Sequence, residues 1–413
     1  MRFATVTAVA AVAVLTACTK TSLLPDAASA SCRPHPQQSL SSILPNATSA
    51  PRIATAAQLG LWPRQGPSLR VCGDVGTGFA RCQAWVRTDI RGPLAHNTPG
   101  GYAPSDLQTA YGLTSGSQTT GRGQTVAIVD AYDDPNVESD LNVYRSQYGL
   151  PACTVSNGCF TKQKYTSQTN AGWAAEESVD VEMVSAICPN CKILLVEAAS
   201  TSVPDLSSAE QYATTKADYI SDSWSIDEGT ETYDGDYRAG CGTIVAATGD
   251  HGYNSTAQWP AILPSVVGVG GTSLTSISPR AETAWSQAGS GCSKIYGKPS
   301  FQSALKTGCS MRAQADVAAD ADPDTGVAIY DTFQRGGWLV FGGTSVAAPI
   351  VASVFALGGY ASANPAGNLY SHTSGLNDVT SGSNGGCGAP LCTAGHGWDG
   401  PTGLGTPNGI GAF

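Results

Sequence analysis

The chain has 413 residues, of which 41% are hydrophobic and only 13% are charged, against about 25% charged in an average soluble domain. This apolar fraction is sufficient for a sizeable core, and 8 Trp, 15 Tyr and 8 Phe exclude a chain that is disordered as a whole. The net charge of −10 comes from 22 basic and 32 acidic residues, without a cluster of Lys or Arg. We therefore expect no surface for nucleic acid or for an anionic membrane.

Residues 1–30 are predicted to be a secretory signal peptide. Arg2 is followed by an apolar stretch at residues 4–17, which has the length of a signal-peptide core and is too short to span a bilayer. Two cleavage motifs compete: Leu15-Thr16-Ala17-Cys18 resembles the lipobox of bacterial lipoproteins, and Ala28-Ser29-Ala30 is typical of an ordinary cleavage site. No second apolar stretch is long enough for a transmembrane span. We expect an exported protein, either secreted or anchored as a lipoprotein through Cys18.

The cysteines agree with export. Without Cys18, an even number remains of the 13 present. Most fall in close pairs, which in an exported chain indicate disulfides: Cys72/Cys82, Cys153/Cys159, Cys188/Cys191, Cys292/Cys309 and Cys387/Cys392. The alternatives are a redox site at Cys188 and Cys191, or a zinc site built from two pairs, for which no local His ligands are present. Cys32 and Cys241 are left over as a candidate pair.

The rest of the chain divides at about residue 100. Residues 31–100 are rich in Pro, Ser, Ala and Gly, and we interpret them as a short propeptide and linker. In residues 101–413, strand-like and helix-like patterns alternate. Buried strands are predicted at residues 124–130, 192–197, 242–247 and 266–269, and helices at residues 137–148, 173–187 and 206–217. This alternation indicates an α/β fold with a mainly parallel sheet and helices on both faces.

The motif at residues 342–349 contains a candidate nucleophile. Gly342-Gly343-Thr344-Ser345 follows a strand-like run at residues 338–341 and precedes a helix-like run at residues 346–357. Ser345 is thus predicted at a tight strand-to-helix turn, where the free N–H groups of the helix favour developing negative charge. The alternative is an ordinary N-cap serine, which is a common use of this residue.

The predicted helix at residues 173–187 contains four acidic residues. Glu176 and Asp180 are four positions apart and face the apolar side of the helix, where two carboxylates repel each other and are costly to bury. A solvated acidic face is the usual explanation for such a run of charge. We expect that explanation to hold for Glu177 and Glu182. Glu176 and Asp180, in contrast, are predicted to be a functional pair.

Asp250 follows an apolar strand and lies between Gly249 and His251-Gly252. An Asp in this position can simply fix a turn. It can also lie at the carboxyl edge of the sheet, where α/β proteins place their sites.

Together these motifs resemble the sedolisin family, the serine-carboxyl peptidases, which have a subtilisin-like fold and a Ser-Glu-Asp triad. The resemblance runs from about Gly101 to the C-terminus. It implies that Ser345 is the nucleophile, that Glu176 is the general base and that Asp180 orients Glu176. Asp250 would help to form the oxyanion hole. The family implies an endopeptidase that forms an acyl-enzyme, acts on proteins or peptides and is a monomer.

The resemblance also implies one structural calcium ion. Asp378-Val379-Thr380 and the segment Gly395-His396-Gly397-Trp398-Asp399 match the family pattern. The ligands would be the side chains of Asp378 and Asp399 and the carbonyl oxygens of Val379, Gly395 and Gly397. Such oxygen ligands suit a hard cation.

If a carboxyl group is the oxyanion donor, the enzyme is expected to be active in acid. Asp250 can donate a hydrogen bond only while it is protonated. Its ionised form would repel the oxyanion, so the rate should fall as Asp250 loses its proton.

Two alternatives remain. An ordinary subtilisin would need a catalytic histidine a few tens of residues after Asp130, and none of the five histidines lies between Asp130 and Asp250. His251 is then interpreted as a neighbour of Asp250 and not as a base. The second alternative is an inactive, surface-displayed binding protein on the same scaffold. The short segment before Gly101 keeps it open, because the family usually has a large folded propeptide.

Overall fold

The computed structural model describes residues 65–93, 98–229, 231–240, 242–360 and 364–413, together with residues 1, 55, 57, 58 and 362. Apart from residue 1, the predicted signal peptide lies outside the described residues. The candidate pair Cys32 and Cys241 also lies outside them.

The helices and strands follow the predicted alternation. The helices are α1 (Pro104–Ala110), α2 (Thr114–Thr119), α3 (Val137–Gln147), α4 (Ala171–Ile187), α5 (Val203–Thr214), α6 (Thr344–Gly358) and α7 (Pro365–Ser371). The strands are β1 (Ser68–Arg70), β2 (Arg81–Cys82), β3 (Trp85–Arg91), β4 (Thr125–Ala131), β5 (Phe160–Lys164), β6 (Lys192–Ala198), β7 (Tyr219–Asp222), β8 (Trp224–Asp227), β9 (Thr243–Ala247), β10 (Gln258–Trp259), β11 (Val267–Ile277), β12 (Arg280–Ala284), β13 (Cys292–Gly297), β14 (Met311–Ala313), β15 (Val317–Asp320), β16 (Val327–Asp331), β17 (Gly337–Gly342), β18 (Leu376–Asn377) and β19 (Thr406–Pro407). The helix predicted to begin at residue 206 begins earlier, because the Ser202 side chain caps it by accepting the Asp205 N–H.

The largest sheet is mainly parallel. Its strand order is β12-β11-β9-β7-β4-β6-β5, and β15 also pairs with β11. Every pair in it is parallel except β11 with β12. In such a sheet the carboxyl ends of the strands meet at one edge, and candidate site residues follow β9 at that edge.

Helices cover both faces of this sheet, as predicted. Along β4, Val126 and Ile128 point into one hydrophobic core and Ala127 and Val129 into another. Helices α4 and α6 contribute to the first core, and α5 contributes to the second. Period-two alternation of this kind is expected of a strand that is buried on both faces.

Helix α4 is buried on all sides, and the expectation of a solvated face for Glu177 and Glu182 is wrong. Both residues are 0% exposed. The helix packs against β4, α1, α3, α6 and β16. Glu182 accepts a hydrogen bond from the Tyr330 N–H at 2.9 Å. Burial raises the pKa of Glu177 and of Glu182 well above the usual range, so both acids are readily held neutral.

Residues 68–91 pair with strands from the rest of the chain. Strands β1, β3, β17 and β16 form one antiparallel sheet in that order. Strand β2 pairs with β8. This part of the segment interpreted as propeptide and linker therefore adds strands beside the helix that contains Ser345.

The predicted close cysteine pairs form disulfides: Cys72–Cys82, Cys153–Cys159, Cys188–Cys191, Cys292–Cys309 and Cys387–Cys392. The redox and zinc alternatives for these cysteines have no support in this arrangement. In the part of the chain that the structure describes, every helix is too short or too polar to cross a bilayer.

Candidate active site

Ser345 lies in the first turn of α6, directly after β17. The helix is capped by Gly343, whose φ of 107° is in the left-handed region that favours glycine. A Cβ at this position would lie 1.9 Å from the carbonyl oxygen of Gln83, so glycine is also required by space. The N-cap is therefore Gly343, and the alternative that Ser345 is an ordinary N-cap serine is wrong. The Ser345 hydroxyl donates to the Ser223 carbonyl oxygen at 3.0 Å.

Glu176 lies on α4 beside this hydroxyl. It is 0% exposed, and neither carboxyl oxygen has a hydrogen bond of normal geometry with a described residue. Burial raises the pKa of Glu176 well above its usual range, and the negative charge of Asp130 adds to this. The Ser345 hydroxyl and the Ala84 N–H lie near enough to lower the pKa again. The carboxyl group thus faces both a hydroxyl and an amide nitrogen.

Asp180 lies one turn further along α4. Its Oδ1 accepts a hydrogen bond from the Ser223 hydroxyl at 2.7 Å. Burial raises the pKa of Asp180 well above its usual range, and the charges of Asp130 and Glu176 raise it further. The two carboxyl groups are therefore a coupled pair that holds protons jointly.

Asp250 approaches the same region from the end of β9. Its Oδ1 accepts hydrogen bonds from the Thr344 N–H at 2.9 Å and the Thr344 hydroxyl at 2.7 Å. Its Oδ2 is buried, has no hydrogen bond of normal geometry with a described residue and would lie 2.9 Å from a Cβ on Gly343. Burial raises the pKa of Asp250 to about 6, against the opposing effects of the Thr344 hydrogen bonds, the Arg70 charge and the nearby Trp85 indole N–H. The structure therefore brings all four predicted residues to one place.

Gln83 completes the site, and the sequence did not point to it. Its N–H lies 3.0 Å from the Ser223 carbonyl oxygen and 3.1 Å from the Ser345 hydroxyl. Its own carbonyl oxygen accepts from the Ser345 N–H at 3.4 Å. Only the neighbouring cysteine pair, Cys72 and Cys82, marked this segment in the sequence as structured.

A set of buried acids lies behind the pair on α4. Asp130, at the end of β4, is 0% exposed, and its pKa is raised by burial and by the charges of Asp222 and Glu197. Burial raises the pKa of Asp222 to about 8. In the sequence, Asp130 was considered only as the aspartate of the subtilisin alternative, and Asp222 was given no catalytic role.

No histidine in the described residues is hydrogen-bonded to Ser345. His251 lines a cavity of about 680 Å³ next to Gln83. Burial, together with the charges of Arg70 and Arg81, lowers the pKa of His251 to about 4. This arrangement agrees with the interpretation of His251 as a neighbour of Asp250, and not with an imidazole base.

Four of the five predicted calcium ligands, Asp378, Gly395, Gly397 and Asp399, lie close together near the C-terminus. Asp378 accepts a hydrogen bond from the Gly397 N–H at 3.1 Å, and Asp399 accepts one from the Gly395 N–H at 3.2 Å. Burial raises the pKa of Asp399 to about 7, and the charge of Asp378 adds to this. Two carboxyl groups that repel each other fit a cation between them. Within the described residues, no three or more His, Cys, Asp or Glu side chains converge in a way that could hold a metal.

Comparison with known proteins gives relatives among peptidases. The profile of the subtilase family matches residues 168–373. Kumamolisin from Bacillus sp. (strain MN-32) is 32% identical over 364 residues, which cover 76% of this chain and 63% of the relative. Sedolisin from Pseudomonas sp. (strain 101) is 28% identical over 362 residues, which cover 76% of this chain and 61% of the relative. The chain thus spans less than two thirds of the length of these relatives.

A solved structure shows the same fold. Pseudomonas sedolisin, a serine-carboxyl proteinase complexed with two molecules of pseudo-iodotyrostatin, matches with a TM-score of 0.65 and 24% identity. The match covers 75% of this chain and 96% of that chain. The predicted subtilisin-like fold is thereby confirmed.

Proposed function

Because this chain belongs to the sedolisin family, we propose that it is an exported serine-carboxyl endopeptidase, active in acid. One observation carries the proposal. The hydroxyl of Ser345, at the N-terminus of a buried helix, lies beside the carboxyl group of Glu176, while Asp250 turns an unpaired oxygen toward the same place. A nucleophile, a base and an oxyanion donor are the groups that acyl transfer requires.

The mechanism proceeds through an acyl-enzyme. The Ser345 oxygen attacks the carbonyl carbon of the substrate, and Glu176 takes the hydroxyl proton. Asp180 keeps a proton available to Glu176 and orients it. The oxyanion is stabilised by the Ser345 N–H and by protonated Asp250. Glu176 then returns the proton to the departing nitrogen, and a water molecule hydrolyses the ester by the same route.

Acidic conditions suit these pKa values. The pKa values of Glu176, Asp180 and Asp250 are all raised by burial, so protons remain on the cluster where free carboxyl groups would be ionised. A single proton shared by Glu176 and Asp180 leaves one carboxylate available as the base. The pKa of Asp250, which burial raises to about 6, places the loss of its donor on the alkaline side.

We also propose a structural calcium ion. Asp378 and Asp399 would hold it with the carbonyl oxygens of Val379, Gly395 and Gly397. The ion would supply positive charge that offsets the repulsion between the two carboxylates. It has no part in the chemical step.

The maturation route is proposed from the sequence. Residues 1–30 direct export, with either release or lipid anchoring at Cys18, and residues 31–100 act as a short propeptide and linker before the peptidase domain at 101–413. The substrates are proteins or peptides, and the enzyme acts as a monomer.

The test is hydrolysis of a denatured protein at pH 4 by Ser345→Ala and by a matched control, Ser353→Ala. Both serines are on α6 and 0% exposed, but only Ser345 meets Glu176. We expect the first variant to be inactive and folded, and the second to be active. Glu176→Gln should be almost as inactive as Ser345→Ala, whereas Glu182→Gln, on the same helix, should retain activity. An unaltered rate for Ser345→Ala would refute the proposal, and a parent protein without hydrolysis would favour the inactive binding protein.

A further inference from the structure

The segment before β3 lies against the candidate site in the way a peptide substrate would. Strand β2 pairs antiparallel with β8, with Arg81 opposite Ser225 and Cys82 opposite Trp224. Addition of an extended strand to an exposed edge is a common mode of peptide binding, in which main-chain hydrogen bonds set the register and side-chain pockets give specificity. The register places Gln83 next to Ser345.

The bond between Gln83 and Ala84 is surrounded by the reacting groups. The Gln83 carbonyl oxygen accepts from the Ser345 N–H at 3.4 Å, and it lies beside the same space next to Gly343 as Asp250 Oδ2. The Ala84 N–H lies near the Glu176 carboxyl group. The carbonyl is thus at the oxyanion position, and the nitrogen that would leave is next to its proton donor.

The Gln83 side chain is held by both ends of its amide. It is 1% exposed. Its Nε2 donates to the Ser225 hydroxyl at 3.0 Å and to the Arg81 carbonyl oxygen at 2.9 Å. Its Oε1 accepts from the Asp250 N–H at 3.1 Å. We call the pocket formed by the Ser225 hydroxyl and the Asp250 N–H the glutamine subsite.

A chain of hydrogen bonds fixes which group of the glutamine subsite donates to the ligand and which accepts from it. The Asp227 carboxylate accepts from Gln258 Nε2 at 2.7 Å, and Gln258 Oε1 accepts from the Ser225 hydroxyl at 3.0 Å. The proton of Ser225 is therefore committed to Gln258, and its oxygen can only accept. The subsite requires a ligand that donates to Ser225 and accepts from the Asp250 N–H, which is the pattern of a primary amide.

We propose that this subsite selects glutamine before the cleaved bond, and that the enzyme cleaves its own Gln83–Ala84 bond. The inference rests on the proposed function. The Ser345 oxygen forms an ester with the Gln83 carbon, and its proton passes through Glu176 to the Ala84 nitrogen as the C–N bond breaks. Water then hydrolyses the ester, which gives a Gln83 carboxyl group and regenerates Ser345. The new N-terminus is Ala84, at the start of a strand that stays paired with β17.

The first experiment follows self-cleavage. The purified full chain is incubated at pH 4, reduced, and analysed by intact mass, because reduction separates the fragments even if Cys32 and Cys241 are joined. We expect the parent to give a fragment that begins at Ala84 and Ser345→Ala to give none. In Gln83→Ala the cut should be slowed roughly 100-fold, because two buried polar groups of the subsite lose their partners. Gln118→Ala, at an exposed position, is the matched control and should be cut normally.

The second experiment uses free peptides that copy residues 78–88 with Cys82 replaced by serine, and with Gln, Glu or Leu at position 83. Leu should be cleaved roughly 100-fold more slowly than Gln because it offers no hydrogen bond. Glu can donate only when protonated, with a usual pKa of about 4.3, so the Gln-to-Glu rate ratio should rise about tenfold per pH unit above that value. In Ser225→Ala the preference for Gln over Leu should shrink.

The ionisable groups around the glutamine subsite are Arg70, Arg81, Asp227, Asp250 and His251. They are the same for both peptides, so their effect on the catalytic step cancels in the Gln-to-Glu ratio. What remains in the ratio is the ionisation of the substrate carboxyl group in the field of these charges.

The outcomes separate the inference from the proposed function. Hydrolysis that depends on Ser345 but shows no preference for Gln, or that leaves the Gln83–Ala84 bond intact, overturns the inference and leaves the proposed function in place. A cut at another bond also overturns it. Absence of hydrolysis by the parent enzyme refutes both.

Discussion

Substitution of Asp250 by Asn tests whether a protonated carboxyl group serves as the oxyanion donor. In the parent enzyme, Oδ1 of Asp250 accepts two hydrogen bonds from Thr344, and Oδ2 is left to face the site. Asn can keep its oxygen toward Thr344 and place its NH₂ group where Oδ2 was, with the nearby Trp85 indole N–H as the one group it must avoid. An amide donates at every pH, whereas the carboxyl group donates only while it is protonated.

The size of the effect follows from the pKa of Asp250, which burial raises to about 6. Two pH units above that value, only about one molecule in 100 retains the proton, because each unit changes the protonated fraction tenfold. The activity ratio of Asp250→Asn to parent should therefore be constant below about pH 5 and rise roughly 100-fold by pH 8. Because Asn remains a donor, the loss of activity in Asp250→Asn at low pH should be smaller than the roughly 10²–10³-fold loss that follows removal of an oxyanion donor.

The assay is kcat/KM for one peptide at half-unit steps from pH 3 to pH 8. The ratio cancels the titration of groups whose pKa does not depend on Asp250. Glu176 is not among them, because the charge of Asp250 raises its pKa, and its share shows as a change in the acidic limb of the Asp250→Asn profile. Asp331→Asn is the matched control, since burial raises the pKa of Asp331 to about 7 at a position outside the site. A flat ratio for Asp250→Asn, or a parent enzyme most active near neutrality, would refute the reasoning.

Two further predictions concern stability, measured in the Ser345→Ala background to prevent self-cleavage. The pKa of Asp222 is raised to about 8 by burial, so its contribution to stability is fully present below the unfolded pKa of about 4 and is lost as pH rises toward 8. The unfolding temperature should fall over that range and fall less in Asp222→Asn; equal slopes would contradict this. Calcium removal by a strong chelator should lower the unfolding temperature, because an ion that binds only the folded chain stabilises it. Asp399→Asn should abolish that difference, whereas identical melting of the parent with and without chelator would count against the site.

Much of the fold could be predicted because hydrophobic patterns report burial directly. The β-branched run that became β4 and the apolar run after Ser345 that became α6 have no other plausible environment. Ser345 was therefore placed correctly at the turn from a strand into α6. The glycine before Ser345 was visible in the sequence, but only the backbone of Gln83 explains why it is needed.

Other features depend on contacts that no local pattern encodes. Glu177 and Glu182 were interpreted as solvated charges, but they are buried because α4 packs against other helices and β16 as well as the sheet. Gln83 lies in a segment with weak periodicity and meets Ser345 across a sequence separation of 262 residues. Neither case could be derived without knowing which distant segments pack together.

The central claim, that the Ser345 hydroxyl attacks the substrate carbonyl with Glu176 as its base, is tested most directly by trapping the acyl-enzyme. A chromogenic ester is mixed with enzyme at pH 4, the reaction is quenched in stronger acid within the first turnover, and the digested protein is analysed by mass. The account predicts one acyl group on the peptide that contains Ser345, and none in Ser345→Ala or, within the same time, in Glu176→Gln. An acyl group on another residue, or hydrolysis at the parent rate without acylation of Ser345, would contradict it.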